Sequence, residues 1–347
     1  MLVAELYDLR QFRLIEQPIP EPAPGEVQAR VEAVGICGSD LHYYSEGGIG
    51  DTPCVYPMVL GHEPVGVIEK VGAGVSGWSV GDRVALEAAI FCHHCEFCLT
   101  GHPNLCEKGR FLSTPGDPGF FREHVNLPAA NVLPLPPHLG FAEASLFEPL
   151  AVILHSMRFI EPRAGETAAV FGAGPIGLLT IAMLKLSGVM RVWAVDPVAH
   201  RRELALALGA DAAIDPASVD PVRQILADTG QRGVDAAVDC VARDESINQS
   251  IRVTRNAGRV VITGIPSEVR TSLEFHALRR KEASFFTVRR ANHTGHRALA
   301  LLEAEPARFA PIVTHSRPLE GIASAFETLD RYEEGVGKMV IAGNPAR

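Results

Sequence analysis

Four cysteines, Cys92, Cys95, Cys98 and Cys106, follow one another as C-x2-C-x2-C-x7-C within fifteen residues. Four thiolates at this spacing can close a tetrahedral shell around zinc and leave no open position for water or substrate. The chemistry expected of them is therefore structural: a metal ion pins a loop that has no core of its own. His93 and His94 lie inside the loop and read as exposed side chains, since four sulfurs already saturate the ion. An iron–sulfur cluster is the competing reading of the same thiols. A second, looser constellation is Cys37, in Gly35-Ile36-Cys37-Gly38-Ser39-Asp40-Leu41-His42, with His62, in Gly61-His62-Glu63-Pro64-Val65-Gly66. A cysteine and a histidine 25 positions apart establish little by themselves, although a thiolate and a neutral imidazole suit a divalent ion of borderline softness.

The third chemical signal is Gly172-Ala173-Gly174-Pro175-Ile176-Gly177, directly after the apolar run 168–171 and at the start of a helical pattern. Strand, glycine turn and helix in that order are the context a dinucleotide fingerprint requires. Gly172 permits the tight turn, Gly174 lets the backbone approach a pyrophosphate, and Gly177 lets the helix pack on the strand. The helix start, with Pro175 and Ile176, supplies free N–H groups and a positive dipole end. Asp196 ends the next strand pattern, about 20 residues further on, where a carboxylate accepts from the adenine ribose hydroxyls and repels a 2′-phosphate. It favours NAD over NADP. Arg201 and Arg202 weigh slightly the other way, because an arginine nearby can pair with such a phosphate.

These residues need elements to position them. The first 150 or so residues are rich in Gly and Pro, with short apolar segments between turn signals; 27–33 alternates apolar and polar residues, and 65–71 and 82–86 read as further strands. That texture predicts an irregular β domain. After Pro149, strand patterns at 168–171, 191–195, 212–214, 236–238, 259–263 and 284–288 alternate with helical ones such as 176–186 and 201–208, each closed by a glycine, Gly188 or Gly209. Such alternation predicts a parallel, doubly wound sheet. The tail from about Ala291 reverts to mixed structure, with strand patterns at 312–314 and 338–341. The expected class is α/β, with one domain formed by 1–150 and 291–347 and a dinucleotide-binding domain at 151–290 inserted between them.

Composition narrows the function classes. Across 347 residues, 47% are hydrophobic and 21% charged, ordinary values for a globular chain of about two domains. A net charge of -9, with the charges interspersed, argues against nucleic acid as a partner. The N-terminal stretch lacks the pattern of a secretory signal, and no apolar run approaches the length that spans a bilayer. With seven cysteines, four of them clustered as metal ligands, the expected location is the cytoplasm.

Together, the four-cysteine loop, the nucleotide fold, and Gly-His-Glu-x2-Gly-x5-Gly-x2-Val beginning at Gly61 resemble the zinc-containing medium-chain dehydrogenase/reductase family along essentially the whole chain. Within it, Cys-Gly-Ser-Asp-Leu-His-Tyr-Tyr at 37–44, Pro-Met-Val-Leu-Gly-His-Glu at 57–63 and Glu-Pro-Leu-Ala-Val at 148–152 are similar to the polyol branch of sorbitol, xylitol and L-idonate dehydrogenases. The resemblance implies a GroES-like catalytic domain, a Rossmann domain and a catalytic zinc in the cleft between them, so two zinc ions per chain. Cys37 and His62 are implied as ligands. Many relatives have a second cysteine where this chain has Glu148, and Glu63 is the competing carboxylate; either could bind the metal while the other contacts its water. Asp40 would orient His62 through the second ring nitrogen.

The implied reaction takes a hydride from a secondary alcohol, a polyol or sugar acid, to NAD and yields a ketone. Ser39 would take the proton and His42 would pass it outward, although His42 also reads as a core histidine. Tyr43 and Arg289 match positions that contact substrate. Arg290, where the branch has an aromatic, either favours an acid such as idonate or faces solvent. A homodimer or homotetramer, paired through the strand near 284–288, is implied in the same way. The alternative activities are threonine or butanediol oxidation, and the remote one is a non-catalytic binding or structural relative.

Overall fold

In the computed structural model, residues 1–343 are described; 344–347, the end of the segment assigned above to the first domain, lie outside the described residues. The chain divides into two compact units, Met1–Ala151 with the chain from Ala291 on, and Val152–Arg290.

The core of the first unit is a seven-stranded sheet in the order Val132–Pro134, Arg83–Leu86, Glu63–Val71, Glu26–Gly35, Lys338–Ala342, Val313–Pro318, with His124–Pro128 also paired to Glu26–Gly35. Most pairs are antiparallel; Val313–Pro318 and Lys338–Ala342 run parallel. The alternation seen in 27–33 places Val27, Ala29, Val31 and Ala33 inside, as a half-buried strand requires. The strand runs on to Gly35 because Lys338–Ala342 pairs with its end, Val34 opposite Ile341 and Gly35 opposite Val340. Gly35 is also opposite Glu63, where a Cβ would lie only 2.0 Å from Glu63 Oε2. Only glycine leaves room for that carboxylate. Helix Gly38–Glu46 follows at once, with Cys37 as its N-cap.

The second unit is a six-stranded, all-parallel sheet in the order Ala212–Ile214, Arg191–Val195, Thr167–Phe171, Val234–Asp239, Thr254–Ile262, Ser284–Thr287. Counted along the chain that order is 3-2-1-4-5-6, the doubly wound arrangement of a dinucleotide-binding fold. Its central strands are buried on both faces and correspondingly apolar. Helices Pro175–Leu186 and Ala199–Ala207 lie close to the predicted spans, and Gly188 and Gly209 hold positive φ after them. The α/β class and the pairing of an irregular β unit with a Rossmann sheet are as expected. Among the described residues, no helix is long and apolar enough to cross a membrane.

Candidate active site

In the second unit the glycine turn leaves strand Thr167–Phe171 at the edge expected for a phosphate cradle. Gly172 has φ 88°, and a Cβ on Gly177 would sit 1.8 Å from Gly172 O, so the helix packs against the turn as only glycine allows. Gly174 is the N-cap and Pro175 the first residue of helix Pro175–Leu186; Ile176 follows in its first turn. A Cβ on Gly174 would meet only Arg201 Nη1, at 3.9 Å, so the space above the turn is open and faced by a guanidinium. Arg202 points elsewhere and donates to the carbonyls of Asp196 and Pro197. Asp196 is buried. Its Oδ2 accepts from Ala173 N at 2.7 Å and its Oδ1 from Val198 N at 2.8 Å, so the carboxylate also ties the glycine turn to the next loop.

In the first unit the four cysteines converge. Sγ separations are 3.5 Å for Cys92–Cys106, 3.8 Å for Cys95–Cys106 and 3.9 Å for Cys92–Cys98. Zinc–sulfur bonds of about 2.3 Å at tetrahedral angles place sulfurs about 3.8 Å apart. The set fits zinc, and all seven cysteines of the chain are free of disulfides. Cys95 N donates to Cys92 Sγ, as suits a thiolate. His93 and His94 are exposed.

The second metal-fit group is Cys37, His62 and Glu63, whose ligand atoms lie within 4.8 Å of one another. Each comes from a different constraint: Cys37 from a helix N-cap, His62 from the entry to strand Glu63–Val71, and Glu63 from the first residue of that strand. His62 and Glu63 are buried, and Glu63 Oε1 has no hydrogen-bond partner among the described residues, which suits a site built for a cation. Glu63 Oε2 pairs with Lys338 Nζ, and both side chains are almost wholly buried. Burial alone would lower the Lys338 pKa; the charges of Glu63, Cys37 and Glu148 outweigh it and hold the value above the ordinary one. Glu148, on helix Phe147–Ile160, is not in the compact group but feels the charges of His62, Glu63 and Lys338. Burial pushes its carboxyl up to about 7.

Asp40 holds this site together. It is fully buried, its Oδ2 accepting from Cys37 N (3.0 Å) and its Oδ1 from Gly61 N (3.1 Å) and Ser113 Oγ (2.9 Å). The same Oδ1 faces His62 Nδ1 at 3.4 Å, leaving Nε2 for a metal. Ser39 Oγ lies 3.4 Å from His62 Nε2. Ser39, His42 and Glu46 form an i, i+3, i+7 stripe on helix Gly38–Glu46, and His42 Nδ1 lies 3.1 Å from Glu46 Oε2. Tyr43 is buried in the core of this unit, where its carbonyl accepts from Cys54 Sγ. Arg289 is exposed, beyond the last strand of the other unit.

Three residues of this region were not singled out in the sequence: Lys338, Ser113 and Glu46. Lys338 had a signal, a lysine opening the apolar run Met-Val-Ile-Ala. Glu46 had one as well, its i,i+4 spacing from His42, whereas Ser113 had none because its partner Asp40 is chosen in space.

Comparison with known proteins follows the same division. Residues 23–137 match the alcohol dehydrogenase GroES-like domain, and 175–304 match the zinc-binding dehydrogenase domain. Sorbitol dehydrogenase of Homo sapiens is 37% identical over 96% of this chain and 94% of its own length. Sorbitol dehydrogenase of Bacillus subtilis is 32% identical over 99% and 98%. Among solved structures, 2R,3R-butanediol dehydrogenase from Bacillus subtilis superposes with a TM-score of 0.88 at 31% identity, covering 99% of both chains. With its two metal-fit clusters and its glycine turn, the chain belongs to the zinc-containing medium-chain dehydrogenase/reductase family, in the sorbitol dehydrogenase-like polyol branch.

Proposed function

We propose that the chain oxidises a secondary alcohol of a polyol or sugar acid to a ketone, with zinc held by Cys37, His62 and Glu63 and with NAD as hydride acceptor. The observation that carries this reading is the compact group of one thiolate, one imidazole and one carboxylate, with the Ser39 hydroxyl beside the metal-facing ring nitrogen. Zinc bound there supplies a Lewis acid that lowers the pKa of an alcohol hydroxyl towards neutrality. NAD held by the second unit would supply the hydride acceptor.

The chain's own residues do the rest. Asp40 fixes the ring of His62. Lys338 offsets the charge of Glu63 through its buried ion pair. Glu148 is the second carboxylate, near the metal group and suited to contact its water or substrate. Ser39 receives the alcohol proton, and His42 passes it towards Glu46 and solvent along one helix face. In the second unit, Gly172, Gly174, Pro175, Ile176 and Gly177 cradle the pyrophosphate, Arg201 faces it, and Asp196 selects against a 2′-phosphate. The first unit is then the catalytic domain and Val152–Arg290 the NAD domain. Cys92, Cys95, Cys98 and Cys106 hold a structural zinc. A substrate role for Tyr43, in the core of the first unit, and for Arg289, exposed on the second, rests on the resemblance to the polyol branch alone.

A second activity, butanediol oxidation, is favoured by the 31% identity to 2R,3R-butanediol dehydrogenase; threonine oxidation shares the same motifs. A non-catalytic role is disfavoured, since the donor group and the relay stripe are both intact. Assembly as a homodimer or homotetramer fits the position of Ser284–Thr287 as the last strand of its sheet. A cytoplasmic location fits seven cysteines without a disulfide among them. The decisive experiment measures turnover on xylitol, sorbitol, L-idonate, threonine and butanediol with NAD and with NADP. Ketone formation from a polyol or sugar acid with NAD is expected; turnover of threonine or butanediol alone would overturn the reading.

A further inference from the structure

The chain leaving the four-cysteine loop passes directly over the ligand histidine. Strand Arg110–Phe111 pairs with Ala89–Ile90, and this short ladder closes the loop that contains Cys92 to Cys106. The Phe111 ring rests on the His62 ring, with centroids 5.3 Å apart and planes at 56°. Two residues later, Ser113 Oγ donates to Asp40 Oδ1, the oxygen that also accepts from Gly61 N and faces His62 Nδ1. The chain then turns, and the backbone N–H groups of Gly119, Phe120 and Phe121 donate to the carbonyls of Val59, Gly61 and Leu60. The residues just before His62 are thus clamped by a segment rooted in the four-cysteine loop.

Ser113 is the informative member. It is 2% exposed and has φ 86°, a backbone conformation that favours glycine. A serine there is not explained by the backbone, whereas its hydroxyl bond to Asp40 gives it a role. Asp40 has one oxygen serving three groups, so losing one donor shifts the balance of the others.

We propose that residues 110–121 couple the four-cysteine loop to the Cys37–His62–Glu63 site, with Ser113 as the positioning residue. Order in the loop, imposed by its metal, is passed through Ser113 to Asp40 and so to the ring of His62. The proposal rests on the zinc reading of both sites.

The test is zinc release from the full-length protein into a chromophoric chelator. The phase belonging to Cys37–His62–Glu63 is identified as the one missing in His62→Ala. Ser113→Gly suits the backbone but lacks the hydroxyl, and Ser113→Ala lacks only the hydroxyl. Both are expected to speed that phase by about 10-fold or more, as for other partners behind metal ligands, without changing the four-cysteine phase. Cys98→Ser, which opens the four-cysteine site, should speed release from the other site far more when Ser113 is present than in Ser113→Gly. Wild-type rates in both Ser113 variants, acceleration in the glycine variant alone, or an equal effect of Cys98→Ser in both backgrounds would overturn the coupling. A wild-type protein that binds no zinc would instead overturn the reading of the sites themselves.

Discussion

Asp196 is expected to do two jobs, and one substitution separates them. Its carboxylate accepts from Ala173 N and Val198 N, at 2.7 and 2.8 Å, and is 3% exposed. Asp196→Ala leaves two backbone N–H groups without their acceptor, each costing roughly 1–3 kcal/mol, or about 2–6 kcal/mol together. Water entering the vacated space would bring the loss towards the lower end. At roughly 2–4 °C per kcal/mol for a unit of this size, the melting temperature without cofactor should fall by at least about 4 °C. Asp196→Asn keeps one acceptor oxygen and should lose about half as much. The cofactor effect is separate: NADH affinity, followed by nicotinamide fluorescence, should weaken in Asp196→Ala more than NADPH affinity does, narrowing the preference. An unchanged melting temperature would remove the structural role. An unchanged ratio of the two affinities would remove the selective one.

Two further outcomes follow from buried charge. Lys338→Met strands the buried Glu63 carboxylate, a loss of about 3–5 kcal/mol for a broken buried pair. Because a metal can supply the missing positive charge, thermal unfolding should show a larger loss after chelation than with zinc bound; equal losses would show that Glu63 does not face the metal. Asp235 accepts from Arg232, Arg255 and Thr167. Burial would raise its pKa, but these partners outweigh it and hold the carboxyl well below the usual range. Its stabilisation is therefore full above the unfolded carboxyl value, near about 4, and is lost as pH falls further. Asp235→Asn should cost roughly 1–3 kcal/mol at pH 7, with the gap to wild type closing below about pH 4 in denaturant titrations. A gap that does not change with pH would refute the assignment.

Much of the fold was legible because its signals are local. Strand Arg191–Val195, apolar from Val192 on, has the expected ends, and helix Pro175–Leu186 carries its start in Gly174-Pro175 and its stop in Gly188. Where the reading fell short, a pairing partner extended the element. Strand Glu26–Gly35 outruns its alternating stretch because a segment 300 residues away hydrogen-bonds to its end. Strand Thr254–Ile262 begins five residues before the expected start at Arg259, since Thr254 pairs with Val234 across an irregularity in register.

The site divides along the same line. The residue types and spacing determined the four-thiolate cluster, the glycine turn and the Cys37–His62 pair, since ligand chemistry and turn geometry are properties of short segments. The tertiary structure places Glu63 in one compact group with that pair. Glu63 lies within reach of Cys37 and His62 because Gly35 leaves space for it and Lys338 neutralises one of its oxygens. It also decided that Asp196 braces the turn it was expected only to serve, and that Ser113 reaches Asp40. Each of these depends on hydrogen bonds or buried charge between residues distant along the chain. Such energies depend on separation and burial, which spacing in the sequence does not contain.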